Sequence, residues 1–387
     1  MRQAHQLREM RVTALRVRPA FVVVNCRPRE RVTVIRVAIP ESLTRLLTAP
    51  GPSGQEDLAA AVWREEAAGF GEVHTDVLGS SWVHVPGTAG GPLLAVVGHI
   101  DEIAVVVTHA GDDGLLAVRQ LGGFDPHVLL GQRVEILTRD GRLPGVVGAR
   151  RQKRKPGEDR KPVGFDDLFL DVGARDGAEA RSLVRPGDTA VVAGEPLQLR
   201  NNRLASRSLD NRIGSYVALE VARRVAAEGG TPGDVAGLAV VQEEVGDFAG
   251  ARAAAFELQP AVAIAVDVTW ATDVRGADKE DDGEHSLGSG PALMRGPSIH
   301  PGVFELLYES AEQEKIACSV EISRGHTNTD ADAIYLSRVG VATGVVSVPL
   351  RYMHTPVETV QLDDVEAVVR LLVAFARRLD PGSSFSR

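Results

Sequence analysis

Short runs of Val, Ile, Leu and Ala recur along the chain, and several break into acids or histidines. Residues 93–97 lead into Gly98-His99-Ile100-Asp101-Glu102, and residues 237–241 lead into Gln242-Glu243-Glu244. Residues 261–266 end at Asp267, and residues 345–348 run towards Arg351-Tyr352-Met353-His354. Runs this short and without polar alternation predict strands buried on both faces, as in a parallel or mixed sheet under helices. Helical periodicity fills the intervals. Residues 55–68 read as a helix after the Pro/Gly loop 49–54. A second, after Ser208-Leu209-Asp210-Asn211-Arg212, places Ile213, Val217, Val221 and Val225 on one face and stops at Gly229-Gly230. Two more are predicted over residues 301–315 and 363–379. Residues 105–199 differ: short alternating segments with frequent Gly and Pro, such as 133–137 and 189–192, predict a small β-barrel or sandwich. The fold class is therefore α/β, a mixed sheet sandwiched by helices, with a small β-barrel inserted.

At 387 residues the chain is longer than most single cores. The expected division is a basic extension over residues 1–36, a catalytic unit from residues 37–104 and 200–387, and the inserted barrel over 105–199. The extension is rich in arginine, from Arg2 to Arg36, and has no clear period. A net charge of −9 argues against general nucleic-acid binding, and the basic run 150–155 reads as a solvated loop. No apolar run reaches the roughly 18–20 residues a membrane span needs. The apolar stretch 21–24 is too short for a signal-peptide core. Cys26 and Cys318 have no nearby cysteine partners, so neither a disulfide framework nor a Cys-type zinc site is expected. A cytoplasmic location fits this pattern.

In an open α/β sheet, ligands bind at the carboxyl ends of the strands. Buried carboxylates there cost several kcal/mol each unless opposite charge compensates them. A dinuclear hydrolytic site supplies that charge: two divalent cations about 3.5–4 Å apart, a bridging carboxylate, and a bound water deprotonated to hydroxide as nucleophile. Asp210, opening a helix, is placed to bridge; His99 and Asp267 complete one metal position, Glu244 and His354 the other. Glu243 and Glu244 would face opposite ways on an extended strand, but a turn at the strand end lets both reach one site. Glu244 then binds metal and Glu243 is the general base. Asp101, two residues after His99, is placed to fix the tautomer of that imidazole. Zinc is the expected metal, with cobalt and manganese equally compatible with the O/N donor set. Any one of these residues alone would read as a cap or a satisfied core group; the argument is in the set. His74, His84, His109 and His127 are expected without acidic partners, and His285 and His300 in loops. The loop 324–330 around His326 either lines the substrate pocket or caps the next helix.

With these residues placed, the sequence resembles the dinuclear metallo-aminopeptidases of the TET, deblocking or glutamyl type, metallopeptidase family 42, some of which carry the label endoglucanase. The resemblance covers residues 40–380. It rests on Pro52-Ser53-Gly54, Gly98-His99-Ile100-Asp101-Glu102-Ile103, Leu209-Asp210-Asn211-Arg212-Ile213-Gly214, Gln242-Glu243-Glu244-Val245-Gly246, Val266-Asp267-Val268-Thr269, Thr329-Asp330-Ala331 and Arg351-Tyr352-Met353-His354-Thr355-Pro356. It implies the same ligand set, with Asp210 shared, Glu243 as base and peptides with a free N-terminus as substrates. It also implies a barrel used for dimerisation and, in many members, a tetrahedral dodecamer. Ala104 stands where the family commonly has Gly, and Asn211 where Asp is usual; neither is a ligand.

Two rival readings follow. Glu243 or Glu244 with Asp267 would serve as a glycosidase acid and nucleophile, as the endoglucanase label implies. Aromatic content of 4% is low for a sugar cleft, and that chemistry has no use for His99 and His354. The other rival is an inactive assembly scaffold, against which stands the completeness of the ligand set.

Overall fold

The computed structural model describes residues 39–151 and 161–385. The expected extension over residues 1–36 and most of the basic run 150–155 lie outside them. The chain begins its main sheet with β1 (Glu72–Thr75), β2 (Ser81–Val85) and β3 (Gly91–His99). It then enters a barrel built from β4 (Ala104–Ala110), β5 (Leu116–Leu121), β6 (Arg133–Thr138), β7 (Gly141–Ala149), β8 (Leu168–Asp171) and β9 (Thr189–Val192). Short β10 (Leu197–Gln198) and β11 (Arg203–Ser206) follow, then β12 (Gly233–Val240), β13 (Val262–Trp270), β14 (Ala292–Arg295), β15 (Ser319–Ile322), β16 (Ala342–Leu350) and β17 (Glu358–Gln361).

The main sheet has eight strands in the order β1-β2-β12-β3-β13-β16-β14-β15. Its four central strands, β12, β3, β13 and β16, run parallel, so their carboxyl ends open on one edge. Antiparallel strands flank them: β2 against β12 and β14 against β16. Burial on both faces explains why the central strands read as unbroken apolar runs. Along β3, Leu94 and Val96 belong to the larger core while Ala95 and Val97 belong to a smaller one. The larger core is closed by the helices Leu209–Ala227, Leu362–Arg377 and Pro301–Glu314, with Glu41–Thr48 and Asp57–Ala68 outside the first of these. On the other face the alanine-rich helix Ala249–Leu258 and the short Ala331–Ile334 cover small residues of the sheet. Alanine facing alanine lets backbone approach backbone closely, which suits the thinner of the two layers.

The six barrel strands close in the order β4-β5-β8-β7-β6-β9. Val105, Val107, Leu116, Val118, Ile136, Leu170 and Ala190 fill its interior. β10, β11 and β17 form a separate three-stranded sheet that returns the chain to the helical layers. The helix over Leu209–Ala227 ends two residues before Gly229, as the glycine pair predicts. Residues 41–48 form an eight-residue helix. Its three leucines, Leu43, Leu46 and Leu47, all enter the core, and that burial sustains so short a helix. Among the described residues no helix is long and apolar enough to cross a membrane.

Candidate metal centre

The strand exits set the site. β3 ends on His99 itself. Before it, a Cβ on Gly98 would lie 2.1 Å from the Gly214 carbonyl carbon, and one on Gly214 would lie 2.4 Å from the Val266 carbonyl oxygen. Two glycines therefore let the start of the helix over Leu209–Ala227 rest directly on β3 and β13, carrying Asp210 to the strand ends. The Asp210–Asn211 peptide is cis. Asn211 donates through Nδ2 to Val266 O at 2.8 Å and accepts from Gly214 N at 2.8 Å. An ionised aspartate has no donor for the first bond, so asparagine suits this junction. Gln242, two residues past the end of β12, takes a left-handed φ of 61°. That twist turns Glu243 and Glu244 off the strand direction, and Asp101 holds the turn by accepting from both of their backbone N–H groups at 3.1 Å. Asp267 departs from expectation. It lies inside β13 and pairs with Ser347, because Val268, Thr269 and Trp270 continue the strand past it. It reaches the site as a residue on the sheet face, not as an exit.

The structure brings all seven expected residues together. His99 Nε2 lies 3.3 Å from Asp210 Oδ1 and 3.7 Å from Glu243 Oε2. On the other side His354 Nε2 lies 3.4 Å from Asp210 Oδ2 and 3.5 Å from Glu244 Oε2. The two oxygens of Asp210 thus face different imidazoles, as a bridging carboxylate's would. His99, Asp210 and Glu244 form one group, and His99, Glu243 and Asp267 another, whose donor atoms lie within 4.8 Å of one another. Asp101 Oδ1 stands 3.3 Å from His99 Nδ1, and its Oδ2 accepts from Ser53 Oγ at 2.7 Å. His354 Nδ1 lies 3.1 Å from the Gly123 carbonyl, on the loop after barrel strand β5. A carbonyl only accepts, so Nδ1 carries the proton and the Nε2 lone pair is left for the site. A Cβ on Gly123 would sit 2.7 Å from that nitrogen.

The electrostatics are those of a place short of positive charge. Burial pushes Glu243 up to about 10, against the pull of His99 and with Asp267, Asp330 and Asp210 adding to the rise. Burial and Asp210 likewise raise Glu244, and burial raises Asp267, in both cases well above the usual carboxylate range. Glu244 Oε1 is buried with no hydrogen-bond partner. Burial works to lower His99, but Glu243, Asp101 and Asp210 outweigh it and raise that imidazole well above its ordinary value. Asp210 and Asp101 move down: burial opposes both shifts, and the imidazoles of His354 and His99 prevail at Asp210 while that of His99 prevails at Asp101. A mixed N/O donor set with an orphaned carboxylate oxygen and crowded like charges fits divalent cations, which would compensate the carboxylates together.

Sequence reasoning missed several contributors. Buried Glu358 accepts from the backbone N–H groups of both Asp210, at 3.1 Å, and His354, at 3.0 Å, tying two site segments together. Asp330 is fully enclosed, and burial raises it to about 7. Of the histidines expected without acidic partners, two have them. His84 Nε2 lies 3.0 Å from Asp234, and His127 Nδ1 lies 2.9 Å from Asp125, the N-cap two residues earlier. His326 lines a cavity of about 710 Å³ that contains the site, together with Thr327, Asn328 and Thr329. Asp332 steadies that loop by accepting from Thr327 N and Asn328 N.

The profile of the M42 glutamyl aminopeptidase family matches residues 79–371. The chain belongs to the M42 aminopeptidase family. It is accordingly a peptide-bond hydrolase. Lysyl aminopeptidase of Pyrococcus furiosus is 35% identical over 88% of this chain and 97% of its own length. The TET aminopeptidase of the marine sediment archaeon Thaumarchaeota archaeon SCGC AB-539-E09 superposes with a TM-score of 0.83 at 33% identity, covering 88% of this chain and 96% of that one. The TET1 peptidase of Pyrococcus horikoshii, which can assemble into a tetrahedron or a large octahedral shell, gives 0.77 at 30% identity over 88% and 99% of the two chains. The M42 fold is thus shared with the relatives along nearly their full length.

Proposed function

We propose that this M42 peptidase removes the N-terminal residue from peptides with the help of two divalent cations, zinc being the metal best suited to the donors. His99, Asp267 and one oxygen of Asp210 would hold the first; Glu244, His354 and the other oxygen of Asp210 the second. The observation that carries the reading is the pair of Asp210 oxygens, each facing a different imidazole nitrogen. When bound, such cations polarise the scissile carbonyl and acidify a water. Glu243 would take a proton from the attacking water and deliver it to the leaving amine; its side chain faces His99 and makes no ion pair with arginine or lysine among the described residues, which leaves it available to move a proton. Asp101 is a positioning residue, since it orders the Glu243-Glu244 turn and faces the inner nitrogen of His99. Free α-amino groups of substrates are expected to meet the uncompensated carboxylates, which makes the enzyme an exopeptidase.

The glycosidase pair is poorly supported by this site. Its carboxylates are interleaved with two imidazoles, and Glu358 and Gly123 orient the residues on the His354 side. We also propose self-association, by analogy with the TET1 shells; light scattering of the purified chain measures it. The deciding experiment is elemental analysis with chelation. Two metal equivalents per chain, and loss of aminoacyl-p-nitroanilide hydrolysis on chelation with recovery on re-addition, are expected. Full activity in the chelated enzyme overturns the reading. One family profile is named for glutamyl substrates and one relative for lysyl substrates, so membership alone does not set the preferred N-terminal residue.

A further inference from the structure

We infer that Glu321 forms the base of the pocket for the substrate's N-terminal side chain and selects a cationic one, lysine or arginine; this rests on the aminopeptidase reading above. Glu321 belongs to the edge strand β15 and lines the same 710 Å³ cavity as the metal-ligand set. Its Oε1 accepts from Thr269 Oγ1 at 2.8 Å, whereas its Oε2 is buried without a hydrogen-bond partner. Among the described residues no ion pair reaches it. His285, whose positive form would draw on this carboxylate, is instead engaged through Nδ1 with Ser319 Oγ at 2.7 Å. A carboxylate oriented by the Thr269 hydroxyl, with the Ser347 hydroxyl beside it, and left with one buried oxygen that no hydrogen bond satisfies gains most from a charged donor brought to it by a ligand.

The placement fits the length of the ligand. Thr269 follows Asp267 by two residues on β13, so both lie on one face of the strand, about 7 Å apart along it. Glu321 therefore lies one side chain's reach beyond the proposed reaction centre, the span covered by the four-carbon stem of lysine. Met294, directly opposite Glu321 in register on β14, offers an apolar wall for that stem. Burial holds the Glu321 carboxyl above its usual range, with the Thr269 hydroxyl, His285 and the Ser347 hydroxyl opposing; an incoming ammonium acts in the same sense as those three. Arg252 faces the cavity from the helix Ala249–Leu258, so an acidic side chain is the competing occupant.

The test compares kcat/KM of the metal-loaded full chain on lysyl-, arginyl-, leucyl- and glutamyl-p-nitroanilide, for the wild type and for E321Q. The wild type should favour the basic substrates over leucyl by at least about tenfold. In E321Q, kcat/KM on the lysyl substrate should fall at least about tenfold further than on the leucyl one, mainly through KM. Calorimetric titration with L-lysine and with L-norleucine, which lacks only the ammonium, reads the same subsite without turnover. Wild type should bind lysine more tightly, and E321Q should not. A wild type that cleaves leucyl or glutamyl substrates as well as lysyl, or an E321Q that keeps the lysyl preference, overturns the assignment of Glu321 while leaving the aminopeptidase reading intact. Hydrolysis of none of the four overturns both. Should E321Q fail to fold, equal binding of lysine and norleucine by the wild type is sufficient to overturn the assignment.

Discussion

Asp101 and Glu102 are neighbours in the chain, both buried, and they open onto two unlike interiors. Behind Glu102 the charges are matched within the protein. Its carboxylate pairs with Arg207 and with Arg212 at 3.2 Å and accepts from Gly51 N at 3.0 Å. Arg212 in turn donates to Leu46 O and Ala49 O, so it also fastens the end of the first helix. On the Asp101 side, Asp210, Glu243, Glu244 and Asp267 crowd around His99 and His354 with no arginine or lysine paired to them among the described residues. Both clusters bear similar desolvation costs. The first is structural and carries its own counter-charge; the second leaves that role to something bound. Burial of an acid is therefore uninformative about function until its counter-ions have been found.

Four experiments press on this contrast. Glu243→Gln should cut kcat by about 10²–10⁴-fold with metal content intact; turnover within a few-fold of wild type would remove Glu243 from the role of base proposed for it. Glu102→Gln should lower stability by about 3–5 kcal/mol, since it strands two buried guanidiniums. Denaturant unfolding measures that loss, and metal stoichiometry should not change. A variant as stable as the parent would mean the Glu102 cluster is not held by its charges. Gly123→Ala pushes a methyl against His354 Nδ1, and one of two metal equivalents should bind about 10–100-fold more weakly in a competitive chelator titration. Two unaltered equivalents would separate the barrel loop from the site. The last experiment reads the pH dependence of stability. In the metal-free chain, Glu243 titrates near 10 instead of 4.5 and His99 stands above its ordinary value. Both make the folded state hold more protons than the unfolded one. Stability present below pH 4.5 for Glu243, and below 6.5 for His99, is then lost as pH rises towards the folded values, at about 1.4 kcal/mol per pH unit per group. The chelated protein should accordingly melt at lower temperature as pH goes from about 6 to about 8, while the metal-loaded protein shows a shallower slope; identical slopes would contradict the charge deficit.

Much of this architecture was readable from the residues. β3, β12, β13 and β16 announce themselves because strands buried on both faces exclude polar side chains, and the same exclusion makes His99, Glu243, Glu244 and His354 conspicuous where it ends. Asp267 was misplaced because an acid after six apolar residues looks like a terminus, whereas it is an interior position opposite Ser347. Glu358, Gly123 and Glu321 were not readable. Each touches a residue far along the chain, and no local period encodes such a meeting. His127 could have been read: Asp125-Pro126 is a helix start, and a capping aspartate two residues before a histidine is within its reach.

The Gly123 carbonyl and the His354 ring are 231 positions apart in sequence. A peripheral module thereby chooses which nitrogen of a distant imidazole bears hydrogen. Grafting the parallel sheet onto a different scaffold, or trimming the six-stranded insert to a hairpin, would preserve every residue of the donor set and still leave that choice unmade.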